Sequence, residues 1–221
     1  MRSTDPIVLA PRTRASIAVR SAVYLVAIWS VGVGVALMVE ADLGVAPNDV
    51  LNTGLRDTLE IGVGTAAWLT GLAAMALAWV LGRRPRFATV MGSVIVGLSI
   101  NGSLAVLPTP DAMWWRISFV ALGLLVIWAG ITGVVGADVG AGPLELVMLA
   151  LMDRKVGISV ARWGIELTLL ALGLALGGAA GFGTAVFAFA TGPVLAVTLP
   201  RAAARLGTDL SHPTEVACAG P

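Results

Sequence analysis

EADLGVAPNDVL (residues 40–51) and GADVGAGPLELV (residues 136–147) are two versions of one phrase, each following a long apolar run. At a spacing of 96 residues Ala41 meets Ala137, Asp42 meets Asp138, Gly44 meets Gly140, Pro47 meets Pro143 and Asp49 meets Glu145. The match extends upstream to Gly34 and Gly130, and downstream to Leu55 with Leu151 and Asp57 with Asp153. Farther on the spacing becomes 95, where Phe87 meets Phe182, Thr89 meets Thr184 and Gly97 meets Gly192. Similarity sustained through both halves marks a duplicated unit.

Each phrase says that a long helix ends, the chain turns and a short helix begins. Asp-x-Gly signals the turn, with glycine free to take a positive φ. Pro47 and Pro143 suit the first position of a new helix, where the missing N–H costs nothing. Asp49 and Glu145 then fall in the first turn, where a negative charge complements the free N–H groups. Segment 143–153 is apolar and, at eleven residues, spans only about 16 Å as helix, roughly half the hydrocarbon thickness. Segment 47–60 is more polar, with Asn48, Asn52, Arg56, Asp57 and Glu60, and fits either a re-entrant or an interfacial helix.

The rest of the chain sets these phrases in a membrane. Of 221 residues 57% are hydrophobic and 12% charged, and the mean hydropathy is +0.92. A soluble domain carries about twice that charge, and a disordered chain lacks the apolar residues. Apolar runs at 19–39, 63–82, 87–107, 114–136, 158–179 and 182–200 are long enough to span a bilayer as helices, and the alternation of a β-barrel is absent. The first run is too long for a signal peptide and is expected to be retained. The expected fold is an all-α polytopic membrane protein of six transmembrane helices. Each unit has three spans, so the second inserts upside down, giving two inverted repeats with short broken or re-entrant helices.

Charge sets the orientation. Arg2, Arg12, Arg14 and Arg20 precede the first span, Arg83, Arg84 and Arg86 separate the second from the third, and Arg154 and Lys155 separate the fourth from the fifth. With Arg201 and Arg205 after the sixth, all share one side, whereas Arg56 and Arg116 fall opposite. Basic loops face the cytoplasm, so both termini are expected there, in a cell (plasma) membrane. The expected organisation is a cytoplasmic basic segment (1–18), a first three-helix repeat (19–107), a second (108–200) and a disordered cytoplasmic tail (201–221).

Arg162 and Glu166 lie four apart in the fifth span, on one helix face, where they can pair. Ionisable groups inside spans are functional candidates, and an unpaired carboxylate there is costly unless wet or protonated. Glu166 is thus either a substrate- or proton-binding carboxylate or half of a structural ion pair. Asn101 either lines a cavity or hydrogen-bonds a neighbouring helix, the commoner role. Gly173 and Gly177, like Gly32 and Ala36, have the small-xxx-small spacing of close helix packing.

The sole His212 and Cys218 lie in the tail, which leaves metal, haem and Cys-His chemistry without residues. Phosphate-loop, HExxH, GxSxG and CxxC motifs are absent. The expectation is a protein that is not an enzyme, with no cofactor, no metal and no nucleic-acid partner. The partners expected are the lipid bilayer and an unknown small molecule, with a homodimer left open.

The stretches ADLGVAPNDVLNTGL, GVGT, GAGPLELVM, SVARWGIE and GFGT resemble the YczE/YyaS group of bacterial integral membrane proteins, itself distantly similar to YitT. The resemblance covers about residues 19–200 and departs at Leu144-Glu145, where the group often has a basic residue followed by Asp. It implies a membrane protein and a transporter in outline, and little more about function. The sequence thus points to a small secondary transporter or exporter, with proton coupling through a carboxylate left open. Its midplane site would be lined by Glu166, Arg162, Glu145, Asp49, Asn48 and Asn101, with Asp42, Gly44, Pro47, Asp138, Gly140 and Pro143 shaping the helix breaks. The alternative is a non-transporting accessory, sensor or substrate-capture subunit acting through a partner protein.

Overall fold

The computed structural model describes residues 15–207. Within them the chain forms eight α-helices: α1 (Ile17–Ala41), α2 (Pro47–Leu59), α3 (Val63–Val80), α4 (Phe87–Leu104), α5 (Met113–Ala137), α6 (Pro143–Asp153), α7 (Ile158–Ala175) and α8 (Phe182–Leu206). Five of them, α1, α3, α4, α5 and α8, are long and apolar enough to cross a membrane. Helix α8 runs through Pro193 and Pro200 to Leu206, so residues 201–206 are helical where a tail was expected. Residues 1–14 and 208–221, with His212 and Cys218, lie outside the described residues.

The duplication reappears in the elements. Helices α1 and α5 are both 25 residues long, and α3 and α7 both 18. Each phrase supplies a short helix that begins on its proline. The turn chemistry differs from the expectation in one respect. Asp42 and Asp138 themselves take the left-handed conformation as C-caps, at φ 51° and 49°, and Gly44 follows at φ 102°. Aspartate tolerates that region because its short polar side chain can bond locally.

Helix α1 packs along α5 and α4, and α5 packs along α8. The α1–α5 contact is antiparallel. Met38 lies by Gly123, Gly34 by Ile127, Val31 by Gly130 and Ala27 by Gly133. A Cβ added at Gly34 would stand 2.6 Å from the Ile127 side chain, and one at Gly130 2.6 Å from Val31. Without a strong hydrophobic drive between helices in lipid, such backbone proximity supplies the van der Waals contact that holds them. Helix α2 packs on α7 and α3, and α6 on α3 and α7. The largest buried cluster, with Met38, Val45, Val50, Val63, Ile100 and Leu124, surrounds the first phrase. Smaller clusters, around Leu146 with Ala78 and around Tyr24 with Ala137, serve the second.

Candidate functional site

The two short helices approach the middle of α3 from opposite ends. Helix α6 starts with Pro143 beside Gly71, halfway along α3. Its Leu146 and Val147 pack on Ala74 and Ala78, and it finishes at the end of α3, where Arg154 donates to the Leu81 carbonyl at 2.6 Å. Helix α2 reaches the same point from the other side, where Thr70 donates to Asn52 Oδ1 at 2.8 Å. From Pro47 to Gly54 every residue of α2 except Asn48 is buried, while Asp57–Leu59 is exposed. Its later turn packs on the end of α7: Gly54 lies against Leu176, and Gly173 against Leu51. So α2 enters the helical layer, and Gly173 of the small-residue stripe is used to seat it.

Asp49, in the first turn of α2, is 6% exposed. Its Oδ1 accepts from Asn52 Nδ2 at 2.9 Å, and no cation reaches it among the described residues. Asn52 therefore links the Asp49 carboxylate to Thr70 on α3. Across the Thr70–Gly71 step, the Ser93 hydroxyl lies near Gly71 and is buried without a hydrogen-bond partner. A carboxylate with one amide donor and an unpaired hydroxyl near the meeting point of two helix N-termini form a polar centre with bonding capacity to spare.

The other expected lining residues are placed differently. Asn48 is half-buried beside Asp49. Glu145, the counterpart of Asp49, is exposed and lays its carboxylate against Gly142, the N-cap of its own helix. Arg162 and Glu166 do pair, at 3.1 Å, with side chains 52% and 33% exposed. Asn101 accepts from the Gly64 N–H at 2.9 Å and so clasps α3 to α4. Apart from Arg162 with Glu166, no described hydrogen bond or ion pair joins one of these six residues to another.

Two functional candidates were missed: the ion pairs that hold each phrase. Arg20 donates to the carbonyls of Ala137 and Asp138, at 2.7 and 2.8 Å, and to the Asp138 carboxylate at 3.1 Å. Arg116 donates to the Asp42 carboxylate at 2.9 Å. Arg20 and Arg116 stand 96 residues apart, as Asp42 and Asp138 do, so these are one interaction written twice. That shared spacing was visible in the sequence, where both arginines served only as topology signals. At the two outer ends of the short helices, Arg56 holds the Asp57 carboxyl below its usual range through a hydrogen bond. Arg83 does the same for Asp153.

Residues 18–200 match a model described as a family of unknown function, DUF6198. The chain belongs to this family. It is 30% identical over 192 residues to the uncharacterized membrane protein YczE of Bacillus subtilis, covering 85% of this chain and 89% of that one. It is 29% identical over 174 residues to an uncharacterized protein of Haemophilus influenzae, covering 78% and 80%. No solved structure matches. The YczE-like family inferred from the phrase is therefore the right one, and the chain is a multi-pass membrane protein.

Proposed function

We propose that the protein is a small secondary transporter or exporter of a small molecule, built as two inverted three-span repeats in which α2 and α6 are half-helices entering from opposite faces. The observation that carries this reading is their convergence on Thr70–Gly71, with the buried, cation-free Asp49 carboxylate beside it. Paired interrupted helices in matching positions of two halves are the usual construction of a transport site. The antiparallel course of α1 and α5, and the matched Arg–Asp pairs at their opposite ends, support the inverted relation.

The chemistry follows from Asp49. A carboxylate in a site without water or cation is unfavourable unless it takes up a proton or a cationic group. This supports a cation, a zwitterion or a proton as the species it binds, and proton-coupled exchange as the mechanism. Glu166 occupies the position that matches Gly71 at a spacing of 95, so it is the second carboxylate to test.

A thermal-shift screen of the purified protein against metabolites and drugs across pH should find a ligand, since binding to the folded state raises its stability. In liposomes, flux of that ligand should depend on pH and be lost in Asp49→Asn, with Glu166→Gln beside it. Flux unchanged in both variants removes the carboxylates from the mechanism. A well-folded sample with no ligand favours an accessory membrane component. The inverted relation has its own test. In a Cys218→Ser background, Glu60→Cys and Lys155→Cys should label from opposite sides of the membrane, and labelling from one side overturns it.

A further inference from the structure

The end of the molecule that carries the α3–α4 link holds a cleft of about 460 Å³, and nothing in the transport reading assigns it a ligand. One wall is basic: Arg83, Arg84 and Arg86 from the link, running into Thr89 on α4. The opposite wall is apolar, from Ala141, Leu146 and Leu149, with Asp153 at the rim paired to Arg83. Arginines in such a loop serve membrane orientation and alone define no site.

Thr89 makes the difference. It is 1% exposed, it lines the cleft, and its hydroxyl oxygen is buried without a hydrogen-bond partner. Leaving a buried hydroxyl unpaired is costly, so such a group in a native protein calls for an explanation, and a ligand in the adjoining cleft supplies one. Its counterpart Thr184 is satisfied, because the Gly181 N–H donates to it at 3.1 Å. Of the two equivalent threonines, Thr89 alone has its hydroxyl unpaired. Thr89 also sits in the first turn of α4, an 18-residue helix whose positive dipole end adjoins the cleft.

We propose that this cleft binds the phosphate group of an anionic ligand. Arg84, Arg86 and the Thr89 hydroxyl supply the donors, the α4 N-terminus supplies the field, and the apolar wall receives a hydrocarbon part. Guanidinium forks match phosphate oxygens, and basic pockets between membrane helices hold lipid headgroups in this way. Two sources carry the same chemistry, a phospholipid headgroup and a soluble phosphate compound. The proposal does not depend on the protein being a transporter.

The test is thermal unfolding of the delipidated full chain at constant ionic strength, titrated with dihexanoyl phosphatidylglycerol, glycerol 3-phosphate and inorganic phosphate. At least one should raise Tm. The lipid alone doing so assigns a headgroup, and the soluble compounds doing so assign a soluble phosphate. Arg84→Gln with Arg86→Gln should weaken the apparent affinity about tenfold or more. Thr89→Val should raise Tm without ligand, since it removes an unpaired hydroxyl, yet weaken binding; a purely structural threonine would not separate the two effects. No shift by any of the three compounds in the folded wild type overturns the proposal. A shift that survives in both the double variant and Thr89→Val overturns it as well.

Discussion

The two phrases are close copies, yet the ends of the molecule they build are packed differently. At the first, the backbone is stitched to the other half. The Gly183 N–H donates to the Leu43 carbonyl at 2.8 Å, the Val45 N–H to the Ala179 carbonyl at 3.1 Å, and the Ala179 N–H to Thr53 Oγ1 at 2.9 Å. At the second, Gly140 abuts Ala88, but among the described residues no backbone hydrogen bond joins 139–142 to α4. The largest buried cluster fills the first end, while the arginine-lined cleft opens at the second. Helix α3 leans along α4, whereas α7 packs on α2 and α6 instead of α8. Under the transport function proposed above, one end sealed and its counterpart open would be a single state of alternating access.

The sharpest single difference lies in the Arg–Asp pairs, and it runs the other way: the buried pair fastens the second end, and the exposed one the first. The Arg20 side chain is 11% exposed and has three acceptor contacts, so Arg20→Ala leaves two carbonyls and a carboxylate without their donor. A loss of about 3–5 kcal/mol is expected on breaking such a buried pair. Arg116 is 26% exposed, its partner Asp42 is 70% exposed, and its Nε is buried without a partner. Arg116→Ala should cost only about 0–1 kcal/mol, as for a surface pair. Chemical unfolding of the two variants in detergent measures both. Equal losses would mean that the ends are held equally and the asymmetry of packing has no energetic content.

The glycines come next. Gly44 combines a φ of +102° with a would-be Cβ at 2.5 Å from the Gly181 nitrogen. Gly44→Ala should cost about 2–4 kcal/mol, strain and overpacking together. Gly140 lacks the left-handed φ and meets a side-chain methyl, the Ala88 Cβ at 2.8 Å. Gly140→Ala should cost less, about 1–2 kcal/mol, because it adds overpacking without the strain of a left-handed φ. The unfolding midpoints of the pair read this directly, and a larger loss at Gly140 would reverse the assignment of sealed and open ends.

Much of this was legible in the sequence. Five of the six expected spans, the two prolines at the helix starts and the eleven-residue length of α6 followed from apolar runs and punctuation, because those are local. The depth of α2 was not. Its polar residues suggested an interfacial helix as readily, and only packing on α7 and α3 shows that Asp49 and Asn52 are the buried face while Arg56 and Asp57 are not. The fate of Glu145 was illegible for the same reason. It sits at the same helix position as Asp49, yet it is exposed and lies against Gly142 at the start of its own helix. Identical local signals took different environments because the two halves are in different states of packing, which one chain's sequence does not record.

The smallest effect concerns the outer ends of the short helices, where Asp57 and Asp153 again stand 96 residues apart. Each carboxyl is lowered below its ordinary value, Asp57 by Arg56 and Asp153 by Arg83. A carboxyl lowered in the folded state contributes stability above its unfolded pKa, and that contribution is lost as pH falls through the folded value. The window therefore lies below about pH 4, the ordinary carboxylate range. Arg56 and Asp57 are sequence neighbours, so much of their attraction persists in the unfolded chain and cancels. Arg83 and Asp153 are brought together only by folding, at 2.6 and 2.7 Å. Both carboxylates are about half exposed, which limits either contribution to about 1 kcal/mol or less. Arg83→Ala should flatten the acid limb of the stability curve by part of that amount, and Arg56→Ala should leave it nearly unchanged. An acid limb that flattens equally in both would show that the Asp153 pair does no more to fasten α6 to α3 than a contact between sequence neighbours.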